Sequence, residues 1–191
     1  MRGTYCAIER LAIWKRHMGT GDAWNHQNFA IPPQRLALVE ACFDELFPWV
    51  KFVSKPHLLG YRLTDDLHAG ALYFRPAAPA AALDEALGSL RREHPDLDAA
   101  LHGLDGIEAD YNDHCGFMVP TVGEWEERVQ RAEQLERERP EFEIRVVDLF
   151  RPGDGRALTD YLYQAFIRIG LLGPFRNTFE MQARTATSAP S

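Results

Sequence analysis

HQNFAIP at residues 26–32 and HCGFMVP at residues 114–120 are two copies of one pattern, H-x-x-F-x-[IV]-P. Asn25 precedes the first copy and Asp113 precedes the second. A stretch with helical spacing of its apolar residues follows each copy. A strand-then-helix opening that occurs twice indicates a duplicated module. A histidine at the same place in each copy suggests that the two modules share one metal site.

The length, composition and net charge limit the classes of protein to which this chain can belong. The 191 residues suit one compact domain or two small modules that share a core. A hydrophobic content of 46% and a charged content of 26% are typical of a soluble globular protein. The net charge of −7 argues against a nucleic acid and against an anionic membrane surface as partners. Residues 1–15 carry charges among their apolar residues and so lack a signal-peptide core, and we predict a cytoplasmic protein.

Apolar periodicity and turn residues predict two βαβββ modules and a helical connector. The first module has a strand over about 24–31, a helix over about 34–47, and strands over 50–54, 58–63 and 69–74. Connector helices follow over about 81–92 and 97–104. The second module has a strand over about 113–119, a helix over about 122–139, and strands over 142–150, 161–169 and 177–183. The predicted segments are an N-terminal extension 1–23, module one 24–76, a connector 77–111, module two 112–184 and a disordered tail 185–191.

Strand alternation predicts which side chains point inward. Successive side chains of a strand lie on opposite faces. In both copies of the motif the histidine therefore leads a small, polar face, while the phenylalanine and the β-branched residue pack on the other side. In the last strand, Glu180 shares a face with Thr178 and Gln182. The alternation thus turns His26, His114 and Glu180 inward, as candidate metal ligands.

The order of these motifs resembles the vicinal oxygen chelate superfamily, which includes glyoxalase I, fosfomycin-resistance proteins, bleomycin-binding proteins and extradiol ring-cleaving dioxygenases. The resemblance rests on the two histidine motifs, on NTFEMQ at 177–182 and on YQAFI at 163–167, and it covers about 24–183. It implies an α+β fold of two tandem βαβββ modules that form paired half-barrels around a metal-binding cleft. It also implies a homodimer, with the modules paired within one chain or exchanged between chains.

The resemblance implies four ligand positions: His26, a residue near Tyr73 or Arg75, His114 and Glu180. The second position lacks a carboxylate, which departs from the glyoxalase I pattern. Two histidines and one carboxylate remain, the ligand set of non-haem Fe(II) oxygenases. Fe(II) is therefore the favoured metal, although the same set also suits Mn²⁺, Zn²⁺ or Ni²⁺.

Several other side chains are candidates for roles at the same site. An imidazole titrates near neutral pH and can move protons, and a phenol can donate a hydrogen bond to a substrate. An arginine can clamp a substrate carboxylate. The catalytic candidates are His57, His68 and Tyr163, and the substrate-binding candidates are Tyr73, Arg75, Tyr161 and Arg176.

Three functions remain open from the sequence. The leading one is an Fe(II) dioxygenase that resembles extradiol enzymes and acts on a small molecule. The second is a lyase, isomerase or small-molecule transferase that uses Mn²⁺, Zn²⁺ or Ni²⁺ and resembles glyoxalase or fosfomycin-resistance proteins. The third is a metal-free drug-binding protein of the same fold.

Overall fold

The computed structural model describes residues 26–63, 70–105, 114–155, 157, 159–173 and 178–185. The predicted N-terminal extension and most of the C-terminal tail lie outside this part of the chain. The described residues form eight strands in two four-stranded sheets, each with a helix between its first and second strands. This confirms the predicted α+β fold of two βαβββ modules. No helix in the described ranges is long and apolar enough to cross a membrane.

The first module opens with the strand that carries the first histidine motif. Pro32 ends this strand, and one turn of 3-10 helix, Pro33–Arg35, leads into the α-helix. The first sheet has the order β1-β4-β3-β2, with β1 parallel to β4 and the other pairs antiparallel. Its elements are β1 His26–Ile31, α1 Leu36–Leu46, β2 Val50–Lys55, β3 Leu58–Arg62 and β4 Ala71–Pro76.

Two connector helices follow, α2 Ala78–Glu93 and α3 Pro95–Asp105. Both begin with a proline in their first turn, where the missing N–H is tolerated. Leu83 and Leu90 of α2 are exposed, so the apolar stripe of this helix does not enter the core.

The second module repeats the plan of the first. Thr121 caps its helix by accepting a hydrogen bond from the N–H of Glu124 at 3.1 Å. The second sheet has the order β5-β8-β7-β6, with β5 parallel to β8. Its elements are β5 His114–Met118, α4 Val122–Glu138, β6 Ile144–Phe150, β7 Leu162–Ile169 and β8 Thr178–Arg184.

The duplication extends to the strand register. A register shift falls between Lys51 and Val53 in the first sheet and between Val146 and Asp148 in the second, at the same place in each module. The residue two positions after each motif histidine also has an equivalent partner in the two sheets. Asn28 of β1 pairs with Tyr73 of β4, and Gly116 of β5 pairs with Glu180 of β8. The similarity between the two modules therefore extends beyond the repeated motif to the strand pairing of both sheets.

One apolar core joins the two modules. It lies between the helix-covered faces of the sheets, and Phe179 of β8 packs at 5.7 Å from the ring of Phe43 on α1. Phe29 of β1 also contacts Phe179, at 5.9 Å. The two motif histidines lie on the opposite faces, which are the faces that the alternation predicted to carry the candidate ligands. We call each of them the outer face of its sheet, because it is turned away from the helices.

Candidate metal centre

Glu180 and His114 come together on the outer face of the second sheet. The register places Glu180 on β8 between Gly116 of β5 and Phe166 of β7. The Nε2 atom of His114 lies 3.2 Å from the Oε2 atom of Glu180. The carboxylate side chain is only 5% exposed, whereas the imidazole is 26% exposed. A buried carboxylate thus stands directly below an imidazole that solvent can reach.

A glycine makes room for this carboxylate. A Cβ atom at Gly116 would lie 3.0 Å from Oε2 of Glu180, a contact that would push the carboxylate aside. The first copy of the motif has Asn28 at the equivalent place. The absence of a side chain at Gly116 therefore leaves space next to the oxygen that faces His114.

Two amides hold the other oxygen of Glu180. The Nε2 atoms of Gln164 and Gln182 donate hydrogen bonds to Oε1 at 2.7 and 2.6 Å. Hydrogen bonds to a charged acceptor are stronger than those between neutral groups, and they compensate for the burial of the carboxylate. Both amides bind Oε1, and the other oxygen, Oε2, faces His114.

The His114–Glu180 pair fits two positions around a divalent metal. Two ligand atoms that each lie about 2.1 Å from a metal, at right angles, are about 3.0 Å apart. The observed 3.2 Å between Nε2 and Oε2 is close to this value, and it is also the distance of a direct pair between the imidazole and the carboxylate. The space next to Gly116 and the amides on Oε1 support the same arrangement. A complete site needs at least one further ligand.

The first sheet has the equivalent outer face, but with a tyrosine in place of the carboxylate. Tyr73 pairs with Asn28 as Glu180 pairs with Gly116. The register therefore places Tyr73, rather than Arg75, at the position in the first sheet that corresponds to Glu180 in the second. The ring of His26 contacts Tyr73 edge-on at 5.7 Å. Arg75 donates from Nε to Oδ1 of Asn28 at 3.2 Å.

The chain does not by itself bring all three predicted ligands together. Among the described residues, no group of three or more His, Cys, Asp or Glu side chains is close enough to hold a metal. His26 lies on the first sheet, apart from the pair that His114 and Glu180 form on the second.

The other candidates lie away from Glu180. His57 is exposed in the turn between β2 and β3, and Tyr161 is exposed just before β7. Tyr163 is on the helix-covered face, where its ring contacts Trp125 at 5.3 Å, so it does not line the site. His68 and Arg176 lie outside the described residues.

Cys115 follows the motif histidine but points to the opposite face of β5. It packs against the apolar core, and burial raises the pKa of its thiol. A thiol with a raised pKa is mostly neutral and so a poor nucleophile. Cys115 therefore does not share the site with His114.

No protein-family model and no curated protein matches the chain, but several solved structures are similar to it. Lactoylglutathione lyase from Agrobacterium tumefaciens is 15% identical, over 86% of this chain and 96% of that one, with a TM-score of 0.47. A glyoxalase/bleomycin resistance protein/dioxygenase family enzyme from Burkholderia phytofirmans is 14% identical, over 86% and 100%, with a TM-score of 0.46. Fosfomycin resistance protein FosX from Mesorhizobium loti is 10% identical, over 89% and 97%, with a TM-score of 0.42.

The three proteins have different names. They include a lyase, a resistance protein and a family label that spans dioxygenases. The names therefore do not choose one reaction for this chain.

Proposed function

We propose that this protein is a metal-dependent enzyme that chelates two neighbouring oxygens of a small substrate through a site of His26, His114 and Glu180. The observation that carries the proposal is the pair of His114 and Glu180, with Oε2 of the carboxylate left clear by Gly116. A divalent metal held there would supply a Lewis acid for the substrate oxygens.

The residues around the pair would fix its geometry before a substrate binds. Gln164 and Gln182 hold the carboxylate through Oε1, which restricts its rotation. The ring of Phe166 meets His114 at a right angle, with 5.4 Å between centroids, and limits the tilt of the imidazole. Such outer partners raise metal affinity because less order must be imposed on binding.

Fe(II) dioxygenase chemistry is the use that we propose for the site. Two histidines and one carboxylate leave coordination positions open, as non-haem Fe(II) oxygenases require. Tyr73 in the fourth position supports this choice, since it replaces the second carboxylate of the glyoxalase I pattern.

Two measurements test this function. Metal content is determined by mass spectrometry after expression in media supplemented with iron, manganese, zinc or nickel. Oxygen uptake is then measured with anaerobically Fe(II)-loaded protein and a panel of catechols, and we expect uptake well above that of the metal-free protein. Stoichiometric Mn²⁺, Zn²⁺ or Ni²⁺ without oxygen uptake would instead indicate a lyase, isomerase or transferase. No stoichiometric metal in any medium would contradict the enzyme and favour a metal-free binding protein.

We further propose that the site is completed in a homodimer, where the outer face of the first sheet of one copy meets that of the second sheet of the other. His26 does not reach His114 and Glu180 within one chain. Both outer faces also expose apolar side chains, with Phe52 39% and Met118 48% exposed. Pairing of the two faces would enclose a cleft lined by these side chains and add His26 to the pair.

Subunit mixing tests the composite site. His26→Ala and Glu180→Gln proteins are each expected to lose the metal. When the two are mixed and their subunits exchanged, half of the dimers are mixed and each of these holds one intact site, so metal binding should return to about a quarter of the sites. Two copies of the same variant, unfolded and refolded alone, provide the control. A site built within one chain would recover no metal in the mixture.

A further inference from the structure

The outer face of the first sheet is basic although the protein is acidic. The strands β1 to β4 contain no Asp or Glu, whereas the whole chain has a net charge of −7. Lys51 lies on the helix-covered face and pairs with Glu40 and Asp44 of α1. The alternation of the strands leaves Arg62 and Arg75 on the outer face, with His26.

A row of rings crosses the same face between His26 and Arg62. The ring of Tyr73 contacts His26 at 5.7 Å and Phe52 at 5.6 Å, both edge-on. The guanidinium carbon of Arg62 lies 5.5 Å from the centroid of the Phe52 ring. Phe52 lies across Gly60, where a Cβ atom would come within 2.9 Å of its Cζ. A glycine thus makes space for this row.

The two arginines have positive charges that no carboxylate in the described ranges neutralises. Arg75 is held by Asn28, a neutral acceptor, which orients the guanidinium and leaves its charge intact. The Nε atom of Arg62 is buried and has no hydrogen-bond partner among the described residues. Each guanidinium can therefore give charge-assisted hydrogen bonds to an oxyanion through its terminal N–H groups.

We propose that this face binds an organic oxyanion with a flat, apolar body, such as an aromatic carboxylate. The carboxylate accepts hydrogen bonds from the guanidinium groups of Arg62 and Arg75, and the body lies against Phe52 and Tyr73. This inference rests on the proposed function, in which the same face lines the cleft beside His26, and it names the class of substrate that the cleft accepts.

Ligand titration of the metal-free full-length protein tests the proposal, with benzoate as the probe. Binding is followed by NMR, including the Arg Nε signals, at constant ionic strength. We expect saturable binding of benzoate and at least about tenfold weaker binding of benzamide, which lacks the charge, and of acetate, which lacks the ring. Equal binding of benzamide would overturn the anion site. Binding of acetate or inorganic phosphate as tight as that of benzoate would overturn the role of the rings.

Matched variants locate the site. Arg62→Gln and Arg75→Gln should each weaken benzoate binding about tenfold, because each removes charge-assisted hydrogen bonds. Lys51→Gln makes the same change of charge on the helix-covered face of the same sheet, and its affinity should stay within about twofold of wild type. Equal weakening in all three variants, or wild-type affinity in both arginine variants, would contradict the proposal.

Two checks keep the outcomes separate. Circular dichroism of each variant shows whether it folds, and the ligand series on the wild type does not depend on any variant. Loss of benzoate binding with the metal retained would reject only the anion site. Benzoate binding without stoichiometric metal would reject only the metal enzyme.

Discussion

Glu180→Gln lowers the metal affinity of this protein by more than about 100-fold, if Glu180 is a ligand as proposed. Loss of an outer partner of a metal ligand already costs about 10–100-fold, and this substitution removes the anionic ligand itself. The glutamine has the same shape, so it can still occupy the space beside Gly116. Competition with a chromophoric chelator measures the affinity, and thermal unfolding checks that the variant is folded.

Two further variants give an intermediate loss of metal affinity and a control for comparison with Glu180→Gln. Gln164→Leu keeps the carboxylate but removes one of the two hydrogen bonds to Oε1, so we expect a loss of about tenfold. His57→Gln changes an exposed histidine in a turn and should leave the affinity unchanged. Stoichiometric, tightly bound metal in Glu180→Gln would show that the carboxylate is not a ligand.

Phe43→Ala reduces the free energy of unfolding by about 4 kcal/mol, the middle of the range for a large aromatic side chain removed from a core. Phe43 is fully buried at the centre of the shared core. Its ring contacts residues of both modules, so the cavity is bordered by both sheets and cannot close by a local shift. The contacting rings are those of Phe47, Trp49, Tyr61, Phe74 and Phe179. Urea unfolding measures the change.

Phe52→Ala is the matched control for Phe43→Ala. Phe52 is 39% exposed on the outer face, so its removal leaves no closed cavity. We expect a loss below about 1.5 kcal/mol. A loss in Phe43→Ala no larger than in Phe52→Ala would contradict a core shared by both modules.

The positions of the elements followed from local patterns in the sequence. The apolar spacing over 122–139 predicted the helix that the structure places at Val122–Glu138, and the predicted strand at 161–169 is found at Leu162–Ile169. Helical and strand periods are properties of short segments, and proline and glycine mark their ends. The repeated motif also revealed the duplication without any knowledge of contacts.

The partners of the site residues depended on strand pairing. Gln164 is 16 residues from Glu180, and only the β7–β8 register brings its amide to Oε1. The same kind of pairing places Tyr73, rather than Arg75, at the position that corresponds to Glu180. Tyr163 was a candidate because a phenol can donate a hydrogen bond to a substrate. Strand alternation places its side chain on the helix-covered face instead, in contact with Trp125. Tyr163 and Phe166 are three residues apart on β7, so their side chains lie on opposite faces, and Phe166 is the residue that pairs with Glu180. This spacing was a signal that could have excluded Tyr163.

The sequence by itself determined that His26, His114 and Glu180 lie on the faces of their sheets opposite the core, because alternation along a strand is local. Only the tertiary structure decided which of them meet. His114 and Glu180 meet because β5 pairs with β8, whereas His26 belongs to another sheet whose helix-covered face is buried in the shared core. Pairing between distant segments depends on the packing of the whole chain, and no local period encodes it.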